Sequence, residues 1–234
     1  MKKLVLSFTI FLLFSVFTFG QGCSDAGFCT MGAMKPDQPF HKKRVKLRSI
    51  EISQYAADVV EGKSVLMYSV DANVGIGDRS AIQIKLPYQF AYGPMGDYNG
   101  LGDISLGYTY TLLQKENLNI SATVGTKIPT GDGNEIQLDG RTLPMFYQRS
   151  QGTFDLIFGA SVLTKNWLFA AGYQQVLNQN NSAFSWGTWN DHPFAEKSLT
   201  YPTSLELRRG TDIMTRVERN FRFSNFNFSL GLLP

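Results

Sequence analysis

Seven charged residues fall at matching positions in alternating segments: Asp71, Lys85, Asp103, Lys127, Asp155, Arg216 and Glu218. Charges placed this way share one face of a pleated sheet. On neighbouring strands opposite charges satisfy one another. Around a wet interior the same charges can line a solute path and select what passes. The two roles are compatible. Acid–base or nucleophilic catalysis finds no equivalent set. The chain has two histidines, His41 and His192, and neither lies in an alternating segment beside an inward serine. There is no Gly-x-Ser-x-Gly elbow and no His-Glu-x-x-His helix motif. No catalytic residue is assigned, and an enzyme is not expected. Thr130 to Glu135 carries oxygen ligands of the calcium type without the spacing of a calcium loop, so neither metal nor cofactor is expected.

Two further groups have chemical potential. Trp186 and Trp189 lie in a long non-periodic stretch. Such rings can stack on an apolar or sugar-like ligand, fold their loop onto itself, or sit at a membrane interface. Cys23 and Cys29 stand close together near the N-terminus. In an oxidising compartment they form a small disulfide ring, worth about 2 kcal/mol on the chain-entropy model. The rival reading is a lipid-modified Cys23, although Gly20 stands where lipoprotein signals carry an aliphatic residue. Their spacing is not that of a redox Cys-x-x-Cys pair.

The elements that must position the charges are strands. In Ala81 to Phe90, Ile82, Ile84, Leu86, Tyr88 and Phe90 alternate with Gln83, Lys85, Pro87 and Gln89. The same period of two recurs near 44–53, 65–74, 102–113, 118–128, 153–163, 167–176, 211–221 and 225–233. Turns are expected at Gly75–Asp78, Gln114–Asn117 and Lys165–Asn166, and longer connections at 92–100, 129–152 and 177–209. Each segment is about ten residues long, enough to cross a bilayer at a tilt. A soluble sandwich would hide its apolar face. Here that face is uniform across every hairpin and rich in aromatics near the strand ends, which favours lipid.

The N-terminus supplies the address. Lys2 and Lys3 precede an apolar run from Leu4 to Phe19, and small Gly20 and Gly22 flank Gln21, the pattern of a secretory signal. Residues 1–21 are read as the signal peptide. Residues 22–42 are read as a tether or a plug segment, and 43–234 as the barrel. Without Lys2 and Lys3 the 22 basic residues fall to 20 against 19 acids, so no nucleic-acid partner is implied. No other stretch is apolar enough for a spanning helix. The expected fold class is all-β: a transmembrane antiparallel β-barrel with about nine strands present. An odd count ends on the outer side, whereas bacterial barrels of this kind have even counts. The chain is therefore expected to be a C-terminally truncated larger barrel; if segment 44–53 is not a strand, eight strands close it.

Two motifs carry a resemblance: Gly100-Leu101-Gly102-Asp103-Ile104-Ser105-Leu106 and Gly125-Thr126-Lys127-Ile128-Pro129-Thr130-Gly131-Asp132. With Leu143-Pro144-Met145-Phe146-Tyr147-Gln148 leading into Gly152-Thr153-Phe154-Asp155, they resemble the outer-membrane barrels of the "MetA-pathway of phenol degradation" family. That family is related to the long-chain fatty-acid channels. The resemblance spans roughly residues 60–234, and the Cys-Ser-Asp-Ala-Gly-Phe-Cys opening is similar to versions from the Bacteroidetes. It implies a pore of twelve or more strands passing small apolar or aromatic compounds. It also implies that Gly100, Gly102, Gly125 and Gly131 form a kink or lateral opening; their local reading is close packing between strands. The expected function is thus passage of small, hydrophobic or aromatic solutes through the bacterial outer membrane. The partners are outer-membrane lipid and a small apolar solute. A structural or adhesin barrel acting through its long loops is the alternative.

Overall fold

The structure is a computed structural model that describes residues 45–59, 62–223 and 226–232. Residues 1–21, read as a signal peptide, the 22–42 segment, His41 and both cysteines lie outside the described residues. The remainder is mostly antiparallel β, a single curled sheet of half-barrel shape.

Nine long strands follow one another around the sheet. They are β1 (Val45–Val59), β2 (Lys63–Ile76), β3 (Ser80–Gly93), β5 (Ile104–Lys115), β6 (Leu118–Ile128), β9 (Asp155–Thr164), β10 (Trp167–Val176), β13 (Asp212–Phe223) and β14 (Phe226–Leu232). Every neighbouring pair is antiparallel. Eight such pairings leave β1 and β14 running the same way. The nine alternating segments of the sequence are these nine strands. β6 and β10 have the expected bounds, and the others shift or extend by a few residues.

The stretch 92–100 departs from expectation. It is not a loop. β3 runs on to Gly93 and turns through Pro94 and Met95 into β4 (Gly96–Leu101), which pairs back on β3. Below it, β5 takes over as the partner of β3. Tyr88 faces Leu101 and Lys85 faces Ser105, so Leu86 and Pro87 oppose the three residues Gly102, Asp103 and Ile104. This is a one-residue bulge. Pro87 has no N–H to give, and its carbonyl accepts from Gly102 N–H at 2.8 Å. The extra residue turns Gly102 and Asp103 both toward the concave side, where both line the same cavity.

The sheet has its faces inverted relative to a water-soluble protein. Outward Ile84, Leu86, Tyr108, Phe158 and Phe169 are 39–46% exposed. Inward Lys127, Asp155, Gln174, Ser69 and Ser161 are 0–2% exposed. Charged residues are almost never buried unless paired, and large apolar residues rarely form continuous exposed bands. Low on the concave face small hydroxyls bond across the ladders, Ser53 with Ser69 and Thr109 with Thr123, each at 2.7 Å.

The two long connections leave the same end of the sheet, from β6 to β9 and from β10 to β13. They are folded. The first holds the hairpin β7 (Gln137–Leu138) and β8 (Arg141–Thr142), turned by Asp139 and Gly140 at φ +50° and +76°. Positive φ at both turn residues suits the twist of a two-residue hairpin, and Asp-Gly tolerates it. The second holds β11 (Ala183–Phe184) paired with β12 (Ser204–Leu205), a 3₁₀ turn at Trp186–Trp189 and α1 (Ala195–Ser198). Together with the β3–β4 turn they share one apolar core: Met95, Leu143, Tyr147, Phe184, Trp189 and Tyr201, with Ala91 of β3. The result is a cap over one end of the concave face.

Candidate functional site

The cap rests on strand ends that carry the buried charges. Lys127, at the end of β6, is 1% exposed. Its Nζ lies 3.1 Å from Asp103 and 3.2 Å from Asp155. It also donates to Thr153 Oγ1 at 3.2 Å and Gln151 Oε1 at 3.3 Å. Asp155 opens β9 and is fully buried. Its Oδ2 also takes Arg209 Nη1 at 3.1 Å and a hydrogen bond from Gln174. Arg209 reaches Asp212 at 3.1 Å. Asp103 completes the set by accepting from Thr130 N–H and Gln151 N–H, both at 3.3 Å. Three carboxylates and two cations thus alternate beneath the cap. Gln151 and Thr153 belong to the first long connection and Arg209 to the second, so one ion network ties both connections to the wall. Desolvation penalises each charge, and the close opposite partners offset that penalty, although Asp155 Oδ1 is buried without a hydrogen-bond partner.

The other inward charges are local. Asp71 and Lys85 are buried and directly opposite on β2 and β3, with Glu51 opposite Asp71 on β1. Arg216 and Glu218 lie two apart on one face of β13 and form an ion pair. Pairing across neighbouring strands is seen for Asp103, Lys127 and Asp155, whereas Arg216 and Glu218 pair within one strand and Asp71 and Lys85 are opposite in register. The structure brings Asp103, Lys127 and Asp155 into one cluster and leaves Asp71–Lys85 and Arg216–Glu218 as separate pairs.

Between cap and wall lies a cavity of about 410 Å³. Tyr55, Val65, Met67 and Pro87 of the wall line it, with Met145, Phe146 and Leu207 of the cap. Its polar lining comes from Lys85, Asp103, Lys127 and Arg149 and from glutamines 89, 148 and 151. The chamber is therefore amphipathic. Arg149 is drawn off to Glu135 by an ion pair. The glycines of the first motif serve close approach. A Cβ at Gly100 would sit 2.5 Å from Arg149 Cδ, and one at Gly102 would sit 3.2 Å from Pro87 Cγ.

A second polar feature lies inside the cap. The hydroxyls of Tyr147 and Tyr201 share a hydrogen bond of 2.6 Å, and Met95 N–H donates to Tyr147 Oη at 3.0 Å. Burial raises Tyr201 far above the ordinary phenol range, and its bond to Tyr147 adds to the shift. Burial also raises Tyr147, against the lowering effect of its two hydrogen bonds. Lys63 of β2 fastens this corner to the wall. Its Nζ donates to Thr200 O at 2.8 Å and lies 4.2 Å from the Tyr201 ring centre.

The loop tryptophans divide. Trp189 is fully buried in the cap core, with His192 edge-on at 5.0 Å. Trp186 is 40% exposed and donates its indole N–H to Tyr201 O at 2.8 Å. Both hold the connection on itself. His192 contacts Asp139 at 3.2 Å and accepts from Phe194 N–H at 3.1 Å, far from any inward serine. Among the described residues no group of His, Cys, Asp and Glu is arranged to hold a metal ion.

Sequence reasoning missed Arg209, Gln174, Lys63 and the tyrosine pair. The only signal for them was aromatic density in the long connections, with Phe146-Tyr147, Phe184, Phe194 and Tyr201 added to the tryptophans. That density exceeds what solvated loops carry. No protein-family model matches this chain, and no curated protein matches it in sequence.

Proposed function

We propose that this chain forms a bacterial outer-membrane barrel wall that passes small, predominantly apolar or aromatic solutes, with its cap closing the outer end at rest. The observation that carries this reading is the inversion of the sheet. A band of large apolar side chains is exposed outside while ionised and hydroxylated side chains are buried inside. A water-soluble fold would penalise both faces, the apolar one by exposure to water and the polar one by removal from it; a bilayer around an aqueous lumen favours both. The apolar side of the cavity under the cap supports a hydrophobic cargo, as does the resemblance to the "MetA-pathway of phenol degradation" barrels. The long connections pack inward on one core, which favours a gated conduit over freely extended adhesive arms. Because β1 and β14 run the same way, closure by antiparallel pairing takes an odd number of further strands, whichever chain supplies them.

The test is reconstitution of the full chain from detergent into lipid bilayers with lipopolysaccharide in one leaflet. The expected result is entry of a small aromatic solute and intermittent ion conductance, both above protein-free membranes. Electrically silent membranes with no solute flux would overturn the proposal. So would a folded, monodisperse protein in plain buffer.

A further inference from the structure

The outward face of the strands is almost free of charge. Among its described side chains the only acids or bases are Asp97 at the cap end, Lys115 at the turn end, and Arg219. Arg219 pairs in register with Trp167, the first residue of β10, and with Leu230 on the other side. It therefore lies at the level of the short turns, opposite the cap. Its guanidinium carbon sits 5.2 Å from the Trp167 ring centre and 4.8 Å from that of Phe221. Trp167 stacks on Phe169 at 5.9 Å and Phe221 on Phe228 at 4.9 Å, so both flanking rings are braced. No carboxylate among the described residues pairs with Arg219. The Lys165–Asn166 turn reaches the same strand, with Asn220 N–H donating to Asn166 O at 2.8 Å, and this sets a second cation at the same rim.

From this geometry we infer that Arg219, held between Trp167 and Phe221, is a binding site for the phosphate of an anionic phospholipid in the leaflet at the turn end. The inference rests on the membrane reading above and assigns that leaflet a specific contact. An arginine on a lipid-facing surface is unfavourable at the midplane and tolerated near the interface. Two ring faces take its cationic plane by cation–π attraction and leave the N–H edge free. That edge matches two phosphate oxygens at once. Phosphatidylglycerol meets it with an uncompensated phosphate. In phosphatidylcholine the headgroup cation competes for the same oxygens.

The full chain in bilayers is titrated with acyl-brominated phosphatidylglycerol or phosphatidylcholine, and tryptophan quenching is read. The test uses a Trp186→Phe background, so that outward-facing Trp167 reports contact while Trp189 is buried in the cap. The wild type is expected to favour phosphatidylglycerol about fivefold, the equivalent of about 1 kcal/mol for one basic side chain at a membrane surface. Arg219→Gln should bring the two lipids to parity while quenching by phosphatidylcholine persists, and Arg219→Lys should keep part of the preference. A full preference in Arg219→Gln overturns the site. Loss of the wild-type preference on adding millimolar glycerol phosphate overturns it in favour of a free-phosphate site. Quenching by neither lipid fails the membrane reading itself, and the site with it.

Discussion

Asp155→Asn is the sharpest test of how the cap is held. The carboxylate is fully buried and touches both Lys127 at 3.2 Å and Arg209 at 3.1 Å. Removing one member of a buried ion pair costs about 3–5 kcal/mol when its partner is left uncompensated. Here neither cation is wholly abandoned. Lys127 keeps Asp103 at 3.1 Å and Arg209 keeps Asp212 at 3.1 Å. The loss should therefore fall below that range, at about 2–3 kcal/mol. At 1.4 kcal/mol per decade this multiplies the detached-cap population about 30- to 150-fold. Limited proteolysis within 129–154 and 177–211 reads that population directly when opening is fast relative to cleavage. Asp191→Asn is the comparison, because its 78% exposed side chain pairs with Arg141 at the surface. Exposed pairs contribute at most about 1 kcal/mol, so cleavage there should rise no more than about fivefold. An equal response from the two variants would refute the argument that burial sets the strength of the latch. Loss of strand content in Asp155→Asn at the rate of cap cleavage would show that the network holds the sheet rather than the cap.

Two other predictions concern the tyrosine corner. The folded protein raises the Tyr201 and Tyr147 hydroxyls above their ordinary value near 10. For a group whose folded value is raised, the stabilisation is complete below the unfolded value and is lost as pH climbs toward the folded one. The cap should therefore loosen above about pH 10, with proteolysis and tyrosinate absorbance rising together; a flat cleavage rate to pH 11 with intact cap packing would contradict this. Gly93→Ala would place a Cβ 2.4 Å from Tyr147 Oη and 2.8 Å from Tyr201 Oη. It should lower near-ultraviolet circular dichroism from the cap aromatics while the far-ultraviolet strand signal remains, and unchanged near-ultraviolet signal would count against the packing described.

Much of the wall is legible in the residue pattern alone. The alternation around Ile82–Phe90 or Trp167–Tyr173 specifies both a strand and its faces, because a period of two admits no other regular backbone. The side of each inward charge follows from the same parity. Asp71–Lys85 can be anticipated as a pair on adjacent strands. Asp103 keeps the phase of Ser105 and Gly107 and follows the same parity, but the bulge opposite Pro87, which turns Gly102 to the same side, is not legible in the alternation. The cap is illegible for a related reason. Its residues follow no period, and their partners lie far along the chain, as with Tyr147 and Tyr201 or Asp155 and Arg209.

The sequence by itself determined the long strands and which side of each is greasy, because those properties depend on neighbours one and two residues away. Only the tertiary structure decided that the long connections fold into one cap, that Lys127 and Arg209 share Asp155, and that Arg219 sits between two rings at the turn end. Those contacts join residues that are mostly tens of positions apart, and their strength comes from burial, which no local stretch of chain possesses until the sheet has curled around it.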